Sequence, residues 1–158
     1  MVGPFRHLGN ADLIFGNGKF STIPGLVTGP VLVITGNHFP NSSAWRTLEA
    51  GFKSRGLIFV RETVSGEPSP ETVDTITDAA RKNGTTSVVA IGGGSVIDAA
   101  KAVAAMLRHD GSVFDYLEAV GHRKPEAKTA PLIAVPTTAG TGSEATKNAV
   151  ISRRGAKG

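Results

Sequence analysis

The chain has 158 residues, 40% of them hydrophobic and 19% charged, which suits one globular domain with a proper core and excludes a disordered segment. A net charge of only +4 and an aromatic content of 6% argue against a nucleic-acid face or a stacking platform for single strands, while a mild positive excess suits a cleft for an anionic cofactor. With no cysteine, a disulfide frame and a thiolate zinc site are excluded, and with neither a membrane-length apolar run nor a signal-peptide pattern the protein is expected to be cytoplasmic and away from membranes.

In chain order, Asp12-Leu13-Ile14-Phe15 reads as a short strand, followed by the turn Gly16-Asn17-Gly18. Val31-Leu32-Val33-Ile34-Thr35 is a continuous, mostly β-branched run, the pattern of a strand buried on both faces, and Gly36-Asn37-His38 ends it. Ser42 or Ser43 can cap a helix to about Ser54, with Trp45, Leu48 and Phe52 on one stripe. A strand is expected at 57–60. Ser69 can cap the next helix, with Pro70 in its first position, Val73, Ile76, Ala79 and Ala80 on its apolar side, and Asn83-Gly84 as its stop.

Ser87-Val88-Val89-Ala90-Ile91 reads as a buried parallel strand, and an alanine-rich helix is expected over 99–107. Between them stands Gly92-Gly93-Gly94-Ser95-Val96-Ile97-Asp98. Strand, glycines, helix is an arrangement that binds phosphate: glycines let the backbone turn and approach a ligand, and the helix N-terminus offers free N–H groups and a positive dipole end. A side chain at Gly93 or Gly94 is expected to fill ligand space and to disfavour a positive φ. Two plainer readings stand beside this one. Ser95 and Asp98 fit a capping box, and glycines before a helix can be turn chemistry, though three in a row exceed what a turn needs. The stretch is not the usual dinucleotide fingerprint, because Ile97 stands where a third Gly or Ala belongs. Gly18-Lys19-Phe20 lacks the Ser or Thr of a Walker A loop.

Residues 109–129 are polar and irregular, with one helical turn expected at 113–117. A strand at 132–135 leads into Pro136-Thr137-Thr138-Ala139-Gly140-Thr141-Gly142-Ser143-Glu144, and a last strand is expected at 148–151. The hydroxyls of the Pro136 loop suit ribose, amide or phosphate recognition; taken alone, hydroxyls bonding their own turn is the plainer reading. Alternating strands and helices predict a parallel α/β sheet with right-handed crossovers. Both special loops follow strands, so both should line one crevice at the carboxyl edge.

Together, Gly92-Gly93-Gly94-Ser95-x-x-Asp98-x-x-Lys101 and the segment from Pro136 to Glu144 closely resemble the iron-containing (group III) alcohol dehydrogenases, over nearly all of the chain. Dehydroquinate synthase and glycerol dehydrogenase share that fold but carry different second loops. The resemblance implies the family's N-terminal NAD(P)-binding domain, a Rossmann-like parallel sheet with flanking helices. It implies that Gly93, Gly94 and Ser95 hold the cofactor pyrophosphate, with Gly92 also among the cofactor-binding residues. Asp98 is implied beside the nicotinamide, and Thr137, Thr138 and Thr141 along the adenosine and pyrophosphate. Asn148 and Lys157 align with positions that approach a ribose. Gly36 stands where NAD-preferring members often carry an Asp, so NADP is expected to be tolerated with a modest preference over NAD. Dimers through N-terminal strands, around residues 13–15, are also implied.

In that family the metal ligands, one Asp and three His, lie downstream in a helical domain, before which this sequence stops. His7, His38, His109 and His122 show no ligand spacing. No metal site and no catalytic residue are therefore expected within 1–158, and the chain alone is expected to be inactive. Three functions compete: the cofactor-binding half of a metal-dependent alcohol dehydrogenase, a free-standing dinucleotide-binding module, and a dimerising structural remnant.

Overall fold

The computed structural model describes residues 5–8 and 12–152. Lys157, one of the expected cofactor contacts, lies outside them, as does the side chain of His7. β1 (Phe5–Leu8) and β2 (Asp12–Phe15) form an antiparallel hairpin, with Phe5 in register with Phe15 and Leu8 with Asp12. β2 is the short strand read from the sequence; β1 was not anticipated.

The rest is a four-stranded parallel sheet in the order β4-β3-β5-β6, built from β3 (Val31–Thr35), β4 (Phe59–Thr63), β5 (Ser87–Gly92) and β6 (Leu132–Pro136). β3 and β5 lie in the middle and are buried along their whole length, which is why both are nearly unbroken apolar runs. Side chains alternate across the pleat. Val31, Val33, Val89 and Ile91 therefore face α1 (Ser43–Ser54), meeting Trp45, Leu48 and Phe52. Leu32, Ile34, Val88 and Ala90 face the opposite layer, α2 (Pro70–Lys82) and α3 (Gly94–Met106), meeting Val73, Ile76, Ala99, Ala100 and Val103. The small alanines let α3 lie close to the sheet.

Local chemistry sets the helix starts. Ser42 Oγ accepts from the Trp45 N–H at 3.1 Å, and Ser69 Oγ from the Thr72 N–H at 3.2 Å. Each satisfies one amide that the helix itself leaves unpaired. Pro70 opens α2, and Gly84 follows its end with φ +64°, a conformation that favours glycine.

Three expectations need correction. β4 begins at Phe59 rather than Leu57, because the Leu57 N–H donates to Phe52 O at 3.0 Å and still belongs to the exit turn of α1. It runs on through Arg61, Glu62 and Thr63 because an edge strand is only partly buried and accepts polar residues. α3 begins at Gly94, five residues before the alanine run. Its N-cap is Gly93, in an extended conformation, and no side chain caps it; Ser95 sits inside the first turn and the capping box does not form. The strand expected at 148–151 is absent. Those residues meet no ladder, and Ser152 N–H donates instead to Pro68 O at 3.0 Å. The turn expected at 113–117 is present as a 3₁₀ turn, Val113–Tyr116.

β4 lies on one side of β3 and β5 on the other, so the strand order reverses between β3 and β5. A crevice opens at the carboxyl ends of strands at such a reversal. Gly36 follows β3 there, and the glycine turn follows β5.

Candidate functional site

Three glycines end β5 and open α3, and close approach is what each requires. A Cβ at Gly92 would stand 2.6 Å from Val96 Cβ and Cγ2. One at Gly93 would stand 3.2 Å from Thr138 Oγ1, and one at Gly94 would stand 3.1 Å from Ser143 Oγ and 3.4 Å from Thr141 Cγ2. None of the three has a positive φ, so the expected left-handed requirement does not apply. Contact distance, not backbone handedness, selects glycine here.

The N-terminus of α3 emerges from this turn. Ile97 N–H is the first to reach back along the chain, donating to Gly93 O at 3.1 Å. With no side-chain cap, the amides of Gly94, Ser95 and Val96 have no intrahelical acceptor. The dipole of the 13-residue α3 adds positive potential at the same place. Such an end is built for an anion.

The second wall is the loop after β6. Pro136 pairs in register with Gly92, and Thr137 N–H donates to Gly92 O at 2.9 Å, so the two loops leave the sheet side by side. Gly140 at φ +99° and Gly142 at φ +65° turn the chain back into a 3₁₀ turn, Ser143–Ala145. Thr138 thereby comes against Gly93, and Thr141 and Ser143 against Gly94. Gly36 completes the floor: a Cβ there would meet only Val96 Cγ2, at 4.0 Å. The structure thus brings Gly36, Gly92, Gly93, Gly94, Ser95, Thr137, Thr138 and Thr141 to one edge.

Asp98 lies one turn further along α3 and is buried. Lys101 Nζ is 2.9 Å from Asp98 Oδ1, yet that oxygen accepts no aligned hydrogen bond. The contact is a charge pair by distance and leaves a lone pair of the carboxylate unused. The buried Thr35 hydroxyl, beside Gly36 at the end of β3, also has no partner. Asn148 is exposed, and its carbonyl accepts from Lys101 rather than from the sheet. Glycines at which a Cβ would be crowded, uncapped helix amides and orphaned polar oxygens at one edge fit a phosphate-bearing ligand with polar groups to match. Lys101 stands in the first motif without a role assigned from the sequence, and Ser143 is one of the loop hydroxyls read there. The i, i+3 spacing of Asp98 and Lys101 on a helix was the available signal.

The described histidines, His38, His109 and His122, do not converge. His38 is exposed and precedes a 3₁₀ turn at Phe39–Asn41. His109 joins Ala105 O through Nδ1 at 2.8 Å, and its Nε2 accepts from the Glu126 N–H at 2.9 Å. His122 Nδ1 lies 3.9 Å from Asp115. Among the described residues no group of three or more His, Cys, Asp or Glu could hold a metal ion, and no helix is long and apolar enough to cross a membrane. Glu126 lies by the far end of α3. Its carboxyl is held below the usual carboxylate range by a hydrogen bond from, and the charge of, Lys128. Both groups are exposed, so the pair has no part in the crevice.

Residues 10–157 match the family described as iron-containing alcohol dehydrogenase. The chain is 34% identical over 151 residues to the choline dehydrogenase of Bacillus subtilis (strain 168), covering 96% of this chain and 35% of that protein. It superposes on an archaeal halo-thermophilic alcohol dehydrogenase from a Red Sea brine pool with a TM-score of 0.81 and 30% identity, over 96% of this chain and 41% of the other. A sulfoacetaldehyde reductase from Bifidobacterium kashiwanohense, solved in complex with NAD+, gives a TM-score of 0.74 and 34% identity, over 83% of this chain and 35% of the other. The chain spans only 35% to 41% of the length of these three relatives.

Proposed function

The chain belongs to the iron-containing alcohol dehydrogenase family, and from that premise we propose that it is the NAD(P)-binding domain of a metal-dependent dehydrogenase acting on alcohols and aldehydes. The observation that carries this reading is the uncapped N-terminus of α3 behind three close-approach glycines, at the strand reversal, with a hydroxyl-bearing loop as its second wall. In this reading the amides of Gly93, Gly94 and Ser95 hold the pyrophosphate, with Gly92 keeping the turn tight. Thr137, Thr138 and Thr141 donate to the phosphate and adenosine side. Asp98 stands beside the nicotinamide, and Asn148 and Lys157 approach a ribose. A bound nicotinamide cofactor supplies a hydride acceptor or donor; these residues bind and orient it and help exclude water.

Both dinucleotides are admitted, with a modest preference for NADP, because Gly36 presents no carboxylate to repel a 2′-phosphate. Self-association through β2 belongs to the same reading and is supported by the exposure of Leu13 on that strand.

The test is to titrate NADH and NADPH by fluorescence, then to assay alcohol oxidation with Fe²⁺ or Zn²⁺ added. Binding without turnover is the expected result. Turnover that is lost on chelation would place the metal chemistry within the chain, and absence of binding would leave a structural remnant. The free-standing binding module is the alternative, and a following reading frame carrying an Asp and three His would decide against it.

A further inference from the structure

Beyond the 3₁₀ turn at Ser143–Ala145 the second wall has no strand or helix to hold it. Residues 146–152 form no strand or helix, so their carbonyls find no ladder. Those of Thr146 and Asn148 converge on one side chain, together with the carbonyl of Ser143. Lys101 Nζ donates to Ser143 O at 2.8 Å, to Thr146 Oγ1 at 3.1 Å and to Thr146 O at 3.4 Å, and it also bonds Asn148 O. Its side chain is only 12% exposed, and Asp98 sits against it. Gly94, Asp98 and Lys101 follow one another at i, i+4 and i+7, so they share one face of α3. Ser143 links the two ends of that face: its carbonyl is held by Lys101, and its hydroxyl is the atom nearest to a Cβ at Gly94.

We propose that Lys101 is the positioning residue of the second wall, a latch that gathers the carbonyls of Ser143, Thr146 and Asn148 onto α3 and so presets Ser143 and Thr141 against the glycine turn before any ligand arrives. The proposal rests on the dinucleotide reading for the identity of the ligand, but not for the existence of the latch. An ammonium suits the role. It is a compact charge with three rotatable donors and can serve oxygens arriving from several directions, whereas a guanidinium fork serves oxygens in one plane. Lys101 also offsets the buried Asp98 carboxylate, which would otherwise stand uncompensated near an anion site. A wall ordered in advance spares the ligand the cost of ordering it.

The test compares the wild-type 158-residue chain with Lys101→Met and with Lys101→Arg, which keeps the charge beside Asp98 if the methionine variant fails to fold. Amide exchange is followed at Ala145 and Thr146, and at Val88 and Val89 as the control for the sheet. Exchange at Ala145 and Thr146 is expected to rise about tenfold or more in the variants with the sheet unchanged, as for a local opening. The dissociation constant for NADH is expected to rise about tenfold. NADH should restore protection to the loop in the variants and add little in the wild type. Unchanged exchange at Ala145 and Thr146 would overturn the latch, and a loosened loop with unchanged NADH affinity would overturn its role in the site. If the wild type binds neither NADH nor NADPH, the proposed function fails and exchange alone judges the latch.

Discussion

A Cβ at Gly94 would stand 3.1 Å from the Ser143 hydroxyl, and the two further methyls of valine would reach into the gap between the loops. Gly94→Val is therefore expected to weaken NADH binding by about tenfold or more while circular dichroism stays unchanged, since no positive φ is at stake. Equal affinity in the folded variant would remove the turn from the site. Gly36 presents the opposite situation: nothing lies closer to its Cβ position than Val96 Cγ2 at 4.0 Å, so a side chain fits. Gly36→Asp would add a carboxylate that accepts from a ribose hydroxyl and repels a 2′-phosphate. The preference between NADPH and NADH should move toward NADH by about tenfold, roughly 1.4 kcal/mol. Paired titrations of both cofactors check it. A ratio unmoved by the substitution would show that this position does not read the 2′ substituent.

The three helices begin in two different ways. α1 and α2 are closed by serines, whereas α3 is left open. Ser69→Ala removes the acceptor for the Thr72 N–H and is expected to lower stability by about 1 kcal/mol, read as a lower urea midpoint at unchanged slope. Dinucleotide affinity should not follow it, because Ser69 caps α2 and not α3. A loss of affinity on its own, without a shift in midpoint, would mean that α2 takes part in the site. The contrast has a physical sense. In the proposed function, a side-chain oxygen at the start of α3 would occupy amides that an anion needs, so α3 forgoes the contribution that the other two helices receive.

At the scale of the molecule, the parallel sheet is covered on both faces, by α1 on one and by α2 and α3 on the other. The β1–β2 hairpin forms a separate sheet. Leu13 on β2 is 48% exposed. That exposed apolar side chain lies on a two-stranded sheet separate from the main one. The chain is expected to sediment as a dimer at high concentration, and Leu13→Lys is expected to shift it toward monomer. A sharp monomer in the wild type would count against pairing through β2.

Much of this was decided locally and is legible in the residues. Ser42 and Ser69 announce their helices because a cap acts within three residues. The run from Val31 to Thr35 announces a central strand because only burial on both faces tolerates so little polarity. Gly92-Gly93-Gly94 between a strand and a helix announces a tight turn into a helix because the turn and the helix start belong to the same short stretch. The remainder depended on partners distant in the chain. The β-branched run near Val150 resembles a strand, yet no ladder meets it and its neighbours' carbonyls turn to Lys101. Which property of glycine mattered at 93 and 94 was settled by Thr138, Thr141 and Ser143, more than forty residues onward, because a contact distance exists only once both loops are in place. Lys101 follows the same rule: its spacing from Asp98 can be read along the helix, but its hold on Ser143, Thr146 and Asn148 arises only when the sheet brings the ends of β5 and β6 together.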